Sequence, residues 1–319
     1  MTKQSLKIWA KVNYPDPVIN LLREGTSGHE LILTANKEAD QTLKVEADIA
    51  FGQPPIESIM RSPEIRWIHL DSAGYEKYDN KETRSALISR GVLLTTSSTV
   101  FSEPCAEHLL AMMISLARRL PQAYGSQTND RSWPMWKLRE ESFLLTGQTA
   151  LILGFGAIAR RLAELLAPFR MNLIAVRRRP KGDEPVRTIG EAEIKKHLSL
   201  ADHVINILPA NAGTRHFVNS ELITAMKPGA ILYNIGRGTT LDQDALLKAL
   251  DAGHLAAAYL DVTEPEPLPP EHPLWIAPNC FITPHTAGGH IGERERLVRH
   301  FLDNLRRYVK DNDLLDRVI

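Results

Sequence analysis

The feature that most constrains the fold is the segment from Leu151 to Arg179, where a strand, a glycine turn, a helix and a second strand are predicted in succession. The apolar run Leu151 to Leu153 predicts a buried strand, and Asn172 to Val176 predicts the next one. A strand, a crossover helix and a further strand form the repeating unit of a parallel sheet. The segment therefore predicts an α/β fold.

The turn has the spacing GxGxxA. Gly154 permits the tight turn, and Gly156 lets backbone N–H groups at the helix N-terminus approach a pyrophosphate, whose charge the helix dipole favours. Ala159 leaves room for close packing of the helix on the strand. A lone GxGxxA is weak, and the alternative is an ordinary strand–helix connection, but the flanking strand and helix are those that the motif requires. The sequence predicts a dinucleotide site that includes Gly154, Phe155, Gly156, Ala157 and Ile158.

The end of the second strand indicates which dinucleotide is bound. An NAD site places an acidic residue about 20 residues beyond the turn. Here Arg177, Arg178 and Arg179 occupy that region, and Lys181 follows shortly after. Guanidinium groups suit a 2′-phosphate in charge and in geometry. We expect NADP(H) to be preferred, with NAD(H) as the other possible cofactor; the alternative is a solvated basic loop.

Length and composition exclude several classes of protein. A chain of 319 residues exceeds the usual size of a single core, so two domains are expected. Lysine plus arginine equals aspartate plus glutamate at 38 each, so no overall field favours nucleic acid or an anionic membrane. Cys105 and Cys280 are too few for a disulfide framework. No signal peptide, membrane span or histidine pair with metal-ligand spacing is evident. We expect a soluble cytoplasmic protein without a metal.

Two α/β units are predicted along the chain. The first has strand candidates at Leu6–Val12, Leu31–Thr34, Asp48–Phe51, Trp67–Leu70 and Val92–Thr95. A long helix from Glu103 to Leu120, with Pro104 at an early position, is expected to link the units. The second has six strand candidates, at Thr149–Leu153, Asn172–Val176, His203–Leu208, Ala230–Asn234, Ala256–Asp261 and Cys280–Thr283.

The end of the chain is expected to return to the first unit. A final helix from about Gly292 to Lys310 has no strand after it, and proline-rich Glu264 to Pro273 is predicted to be a loop. Residues 1–100 and 290–319 are therefore predicted to form one domain and residues 101–289 the other.

Polar side chains follow three of the predicted strands. Arg237, Asp261 and His285 each lie where a strand ends, and Glu266 lies in the loop after Asp261. In an open parallel sheet, ligands bind outside the carboxyl ends of the strands. We expect these four side chains to share one rim of the sheet.

Motifs distributed over nearly the whole chain support a family resemblance. They are Leu153–Ile158, Leu208–Pro209 with Thr214–His216, Met226–Gly238, Leu260–Leu268, Thr283–Gly288, Ser72–Gly74 and Glu107–His108. In these motifs the chain resembles the D-isomer-specific 2-hydroxyacid dehydrogenases, and most closely their NADPH-dependent glyoxylate/hydroxypyruvate reductases. The resemblance implies a Rossmann nucleotide-binding domain and a smaller flavodoxin-like substrate domain, both doubly wound parallel sheets, with a cleft between them.

The resemblance also implies a catalytic set of Arg237, Glu266 and His285. When hydride adds to a 2-keto carbonyl, the oxygen must gain a proton. His285 is the candidate acid in reduction and base in oxidation, because imidazole changes protonation near neutral pH. Glu266 would orient His285 and favour its protonated form. Arg237 would hold the substrate and stabilise negative charge in the transition state.

Binding residues are implied in both domains. Backbone N–H groups of Ala73 and Gly74 would complete the carboxylate site in the closed cleft. Asp261 would contact the nicotinamide carboxamide. Glycines on both sides of Arg237 suggest a backbone pressed against a ligand. The other implied cofactor residues are Leu208, Pro209, Thr214, Ile235, Gly236, His285 and Gly288.

Bulky residues indicate a small substrate. Tyr75, Trp133 and Trp136 are expected to restrict the acyl pocket, so glyoxylate and hydroxypyruvate are the leading substrates. The alternative for the two tryptophans is core or dimer packing, and the family implies a homodimer. Rival functions are a corepressor-like or nucleotide-sensing binding protein on the same scaffold. A formate dehydrogenase is disfavoured because it pairs histidine with glutamine, where this chain has Glu266.

Overall fold

The computed structural model describes residues 5–34, 45–180, 182 and 184–319. The predicted first domain therefore includes residues, 1–4 and 35–44, that lie outside the described ranges. The chain forms two compact units, one of Met1–Phe101 with His290–Ile319 and one of Ser102–Gly289.

The first unit is built on a five-stranded parallel sheet of order β2-β1-β3-β4-β5. Its strands are β1 (Lys7–Lys11), β2 (Glu30–Thr34), β3 (Ile49–Gly52), β4 (Trp67–Leu70) and β5 (Leu93–Thr95), and its first helices are α1 (Asp16–Gly25), α2 (Ile56–Arg61) and α3 (Lys81–Ser89). Every residue of β3 and β4 is buried, as expected for a parallel sheet covered on both faces. The order is that of flavodoxin-like folds, as predicted.

The second unit contains a seven-stranded parallel sheet of order β12-β11-β10-β9-β6-β7-β8. Its strands are β6 (Thr149–Leu153), β7 (Asn172–Val176), β8 (Arg187–Ile189), β9 (His203–Asn206), β10 (Ile231–Asn234), β11 (Ala257–Leu260) and β12 (Cys280–Ile282). Its helices are α4 (Ser98–Ala117), which crosses the boundary between the units, α5 (Leu120–Asn129), α6 (Met135–Glu141), α7 (Ala157–Leu166), α8 (Ile194–Leu198), α9 (Ser220–Thr224) and α10 (Gln243–Asp251). The strand order reverses between β6 and β9, as in a Rossmann sheet.

The prediction of six strands in this unit was wrong, because β8 was missed. This strand has three residues, of which only Ile189 is buried. So short a strand on the sheet edge leaves no hydrophobic alternation to detect. The predicted strand His203–Leu208 extends two residues too far, since β9 ends at Asn206.

The predicted helix from Glu103 to Leu120 was wrong at both ends. The helix α4 begins at Ser98, so Pro104 lies in its interior. Its first turn is capped from the far end of the chain, because Asp316 Oδ2 accepts hydrogen bonds of 2.8 Å from the N–H and the hydroxyl of Thr99. No local pattern encodes such a cap. The helix ends before Arg119, which adopts a left-handed conformation with φ 54°.

The last helix, α11 (Glu293–Val309), belongs to the first unit. Phe301 stacks on Phe51 of β3 and Trp67 of β4, with ring centroids 4.2 and 5.5 Å apart. After the helix, the N–H of Val318 donates to the Leu94 carbonyl at 2.8 Å, so the tail lies along β5. The chain therefore returns to complete the core of the unit in which it began.

A buried histidine is expected to make the fold sensitive to acid. His203 Nδ1 lies 3.0 Å from the Tyr233 hydroxyl, and Nε2 lies 2.6 Å from Gln148 Oε1. Burial lowers the pKa of His203 from 6.5 to about 4, although Asp202 acts in the opposite direction. The unfolded chain therefore takes up this proton at a higher pH than the folded chain. The resulting stabilisation, roughly 3 kcal/mol, is present above pH 6.5 and is lost as the pH falls toward 4.

We predict that His203→Asn flattens this pH dependence. The asparagine oxygen can still accept a hydrogen bond from Tyr233 but has no proton to gain. Urea denaturation between pH 7 and pH 4 should show the unfolding free energy of the wild type falling more steeply than that of the variant. Parallel curves would contradict the assignment.

Candidate active site

The predicted site residues lie in loops at one edge of the seven-stranded sheet. The strands β10, β11 and β12 are parallel neighbours, so the loops that follow them begin at the same edge. Arg237 follows β10, Asp261 and Glu266 follow β11, and His285 follows β12. The structure brings His285 and Glu266 into direct contact, with 2.8 Å between Nδ1 and Oε2.

The contact with Glu266 fixes which nitrogen of His285 is available. An ionised carboxylate can only accept, so Nδ1 carries the hydrogen that is donated to Glu266. Nε2 makes no hydrogen bond to another described residue. The second oxygen of Glu266 accepts from the N–H of Thr263 at 3.0 Å, which orients the carboxylate. The pair is partly exposed, with side-chain exposures of 52% for His285 and 39% for Glu266.

Asp261 anchors the loop that carries His285. Its carboxyl group is buried. Oδ1 accepts from the Thr283 hydroxyl at 2.6 Å and from the N–H of Thr286 at 2.9 Å, and Oδ2 accepts from the N–H of Ala287 at 3.1 Å. This anchoring role was not predicted from the sequence, which pointed to Asp261 only as a ligand contact. In the sequence, this role could have been inferred from Thr283, Thr286 and Ala287 beside His285, because their hydroxyl and backbone N–H groups can donate to a carboxylate.

Buried amides hold the loop of Arg237. The Asn234 Nδ2 donates to the Arg237 carbonyl at 3.2 Å, and the Thr240 hydroxyl donates to the same oxygen at 2.6 Å. Asn206 Nδ2 in turn donates to Asn234 Oδ1 at 3.2 Å. The Arg237 guanidinium is half-buried and donates to the Gly236 carbonyl at 2.8 Å. The sequence analysis missed both asparagines, although each ends a fully buried strand.

The glycines beside Arg237 are required by the packing of the neighbouring loops. A Cβ atom on Gly236 would lie 2.5 Å from the Leu208 carbonyl oxygen, and one on Gly238 would collide with the Thr263 carbonyl. Both positions are therefore restricted by the backbones of the neighbouring loops. These glycines let three loops pack together at the sheet edge.

The glycine turn has the predicted features of a phosphate site. Gly154 adopts φ +96°, and Gly156 is the N-cap of α7. No side chain caps the helix, and its first turn contains no acidic residue. A Cβ atom on Gly156 would meet nothing within 4 Å. The first N–H groups of α7, at Ala157 and Ile158, are thus available to an anion.

The other positions of this turn serve packing. Phe155 is buried, and the Arg160 guanidinium lies 5.0 Å from the centroid of its ring. Ala159 is fully buried between α7 and the sheet, as predicted.

The three arginines after β7 are not equivalent. Arg177 Nη1 lies 2.9 Å from Oε1 of Glu184, whose side chain is only 2% exposed. Arg178 and Arg179 are exposed, and Lys181 lies outside the described residues. Arg177 is therefore engaged in a structural ion pair, which leaves Arg178 and Arg179 as the candidates for a 2′-phosphate.

The remaining predicted cofactor residues also follow strands of this sheet. The Thr214 hydroxyl donates to the Pro209 carbonyl at 2.6 Å and closes the loop after β9, which contains Leu208. Ile235 is buried directly after β10, and Gly288 is half-buried in the loop after β12.

In the first unit, the predicted carboxylate turn follows β4. The Ser72 hydroxyl donates to the Gly74 carbonyl at 2.7 Å and closes the turn. The N–H groups of Ala73 and Gly74 make no hydrogen bond to another described residue. Such unpaired N–H groups in a tight turn can bind a carboxylate.

The bulky residues occupy different settings. Tyr75 is partly buried and packs against the hydrophobic core of the first unit. Trp133 and Trp136 are 89% and 64% exposed, and Trp136 lies on α6 rather than on a loop. Core packing within the chain is thus wrong for both tryptophans.

The described residues contain no group of three or more histidine, cysteine, aspartate or glutamate side chains that could hold a metal ion. No helix in the described ranges has both the length and the apolar character needed to span a bilayer.

Known proteins resemble this chain in sequence. Residues 110–287 match the family described as "D-isomer specific 2-hydroxyacid dehydrogenase, NAD binding domain". The glyoxylate reductase of Aeropyrum pernix is 32% identical over 285 residues, which cover 87% of this chain and 82% of that protein. Glyoxylate/hydroxypyruvate reductase B of Shigella boydii is 30% identical over 304 residues, 91% of each chain.

A solved structure also resembles it throughout. The NADPH-dependent glyoxylate/hydroxypyruvate reductase of Sinorhizobium meliloti, in complex with NADP and malonate, superimposes with a TM-score of 0.75 at 25% identity. The match covers 99% of this chain and 97% of that one.

Proposed function

Because the chain belongs to the D-isomer-specific 2-hydroxyacid dehydrogenases, we propose that it reduces glyoxylate, hydroxypyruvate or similar small 2-keto acids to D-2-hydroxy acids, with NADPH as the preferred hydride donor. The observation that carries the proposal is the His285–Glu266 pair, joined at 2.8 Å on the sheet edge that also carries Arg237 and the glycine turn. The names of the two glyoxylate reductases above support the substrate class.

The nucleotide-binding residues fit a nicotinamide dinucleotide. The uncapped N-terminus of α7 and the open space over Gly156 suit a pyrophosphate, and Arg178 and Arg179 suit a 2′-phosphate. When bound, the reduced nicotinamide supplies the hydride that adds to C2 of the keto acid. Asp261 and the remaining predicted cofactor residues would line the ring and the pyrophosphate.

His285 supplies the proton in this proposal. Nε2–H donates to the carbonyl oxygen as hydride arrives at the carbon, and the same nitrogen accepts the proton in the oxidation direction. Glu266 holds Nδ1–H, so Nε2 is the nitrogen left to exchange a proton with the substrate. A positioned acid of this kind contributes about 10²- to 10⁴-fold to the rate.

Arg237 and the turn at Ala73 and Gly74 bind the substrate in this proposal. The guanidinium would form charge-assisted hydrogen bonds with the substrate carboxylate and stabilise the oxygen that becomes negative. The free N–H groups of the turn would bind the carboxylate as well.

The main test is a panel of 2-keto acids assayed with NADPH and with NADH. We expect the highest kcat/KM with glyoxylate or hydroxypyruvate. His285→Ala should lower kcat by roughly 10²- to 10⁴-fold, since it removes the acid, and should change cofactor affinity far less than kcat. His290→Ala is the matched control and should be close to wild type.

Near-normal turnover by the His285 variant would mean that another residue is the acid. A wild-type protein that binds NADPH but reduces no keto acid would favour the alternative, a nucleotide-sensing or corepressor-like protein on the same scaffold.

Cofactor preference is tested at Arg178. Arg178→Ala should raise KM for NADPH roughly 10- to 100-fold, because a charged hydrogen bond is worth about 1.5–3 kcal/mol, and should leave KM for NADH nearly unchanged. Gly156→Ala is the control, since a methyl group at the pyrophosphate position should weaken both cofactors alike. An equal effect of the arginine variant on NADPH and NADH would refute the phosphate assignment.

We also propose a cytoplasmic homodimer. The segment from α5 to α6 exposes large apolar side chains, those of Leu120, Tyr124, Trp133, Met135 and Trp136, and lines a cavity of about 670 Å³. Exposed apolar surface of this kind marks an interaction site, and a second copy of the chain would cover it. Cys105 and Cys280 form no disulfide, which supports a reducing compartment.

Sedimentation equilibrium at micromolar concentration should therefore give a dimer for the wild type. Trp136→Ser should shift it toward monomer, because it removes an aromatic anchor, whereas Ile291→Ser, an exposed apolar residue of the first unit, should not. A monomeric wild type would contradict the proposal.

A further inference from the structure

A chain of hydroxyl groups lies beneath the loop that carries His285. The Tyr259 hydroxyl is 2.7 Å from Thr283 Oγ1, which is 2.6 Å from Asp261 Oδ1. Oδ1 already accepts a backbone N–H from Thr286, so it is an acceptor for Thr283 as well. A threonine hydroxyl has one hydrogen, and Thr283 uses it on Asp261, so Tyr259 must be the donor to Thr283.

Tyr259 is suited to this role. Burial raises the pKa of Tyr259, so the phenol keeps its hydrogen at every physiological pH. Tyr259 and Asp261 lie two residues apart and so face the same side of the chain. Because Leu260 pairs with Ile282, Asp261 is level with Thr283, the first residue after β12. His108 of α4 packs on Tyr259 with ring centroids 5.7 Å apart.

The loop needs such support because His285 is in a sparsely populated conformation. Its φ is 53°, in the left-handed region, which is strained for a residue other than glycine. The His285 N–H donates to the carbonyl oxygens of Asp261 and Thr283, each at 2.9 Å. The backbone position of the proposed acid is therefore set by the two residues that the hydroxyl chain joins.

We propose that Tyr259 and Thr283 are positioning residues, which act through Asp261 to hold His285 in the conformation that protonates the substrate. The proposal rests on the proposed function and deepens it. Neither hydroxyl needs to touch substrate or cofactor. Misplacement of a catalytic group by about 1 Å can cost 10²-fold in rate. Loss of either hydroxyl group should therefore lower kcat more than it changes KM or cofactor affinity.

Tyr259→Phe is the central variant, and Tyr233→Phe is its matched control. Tyr233 is equally buried and pairs with Tyr259 on the adjacent strand, but its hydroxyl bonds to His203 instead. Each variant loses one buried hydroxyl. We expect Tyr259→Phe to lower kcat about tenfold and Tyr233→Phe to lower it less than twofold. Thr283→Val should lower kcat more than Tyr259→Phe does. Thr283→Ser keeps the hydroxyl group and should have a kcat close to that of the wild type.

A second measurement does not depend on turnover. Hydrogen exchange of the Thr286 and Ala287 amides, which donate to Asp261, should accelerate in Tyr259→Phe and Thr283→Val but not in Tyr233→Phe. The inference would be overturned if amide exchange were unchanged, or if kcat were unchanged in both Tyr259→Phe and Thr283→Val. An equal fall of kcat in Tyr233→Phe would overturn it as well. An inactive wild type would refute the proposed function instead, and the exchange rates would then decide the anchoring alone.

Discussion

The candidate site depends on the register of three neighbouring parallel strands. Leu260 at the end of β11 pairs with Asn234 of β10 and with Ile282 of β12, so the three strands end level. The loops that carry Arg237 and His285 therefore start at the same height on one edge. A slip of one residue in any pairing would turn alternate side chains to the other face of the sheet and separate the groups.

Buried polar groups convert this register into fixed loop positions. Burying an amide or a carboxylate is costly unless it is hydrogen-bonded, so Asn234 and Asp261 stabilise the fold only while their loop partners stay in place. Asn234 holds the loop of Arg237, and Asp261 holds that of His285. The exposed side chains of the site thus rest on buried polar groups, for which any other loop position would be energetically unfavourable. The site is therefore pre-organised by folding itself.

The sequence predicted the parts of the molecule that local pattern encodes. Apolar runs located the strands of both sheets except β8, and spacing located the turn at Gly156. The family resemblance, rather than spacing, pointed to Glu266 as the partner of His285. Contacts between distant segments were not predictable: the cap that Asp316 provides for α4, and the loop backbone that requires Gly238, arise only once the chain is folded. Periodicity reports which face of an element is buried, but not what lies against it.

Charge counted along a sequence differs from charge available to a ligand, and the loop after β7 shows why. The buried carboxylate of Glu184 pairs with Arg177 and accepts the N–H of Gly182 at 2.8 Å, so it closes the loop and neutralises one of its three arginines. Among the described residues of this loop, the exposed Arg178 and Arg179 remain to distinguish a phosphate from a hydroxyl in the proposed cofactor site. Interactions of exposed charges weaken as salt increases. A preference for NADPH that rests on these two residues is therefore graded, and it should be stronger at low ionic strength than at high.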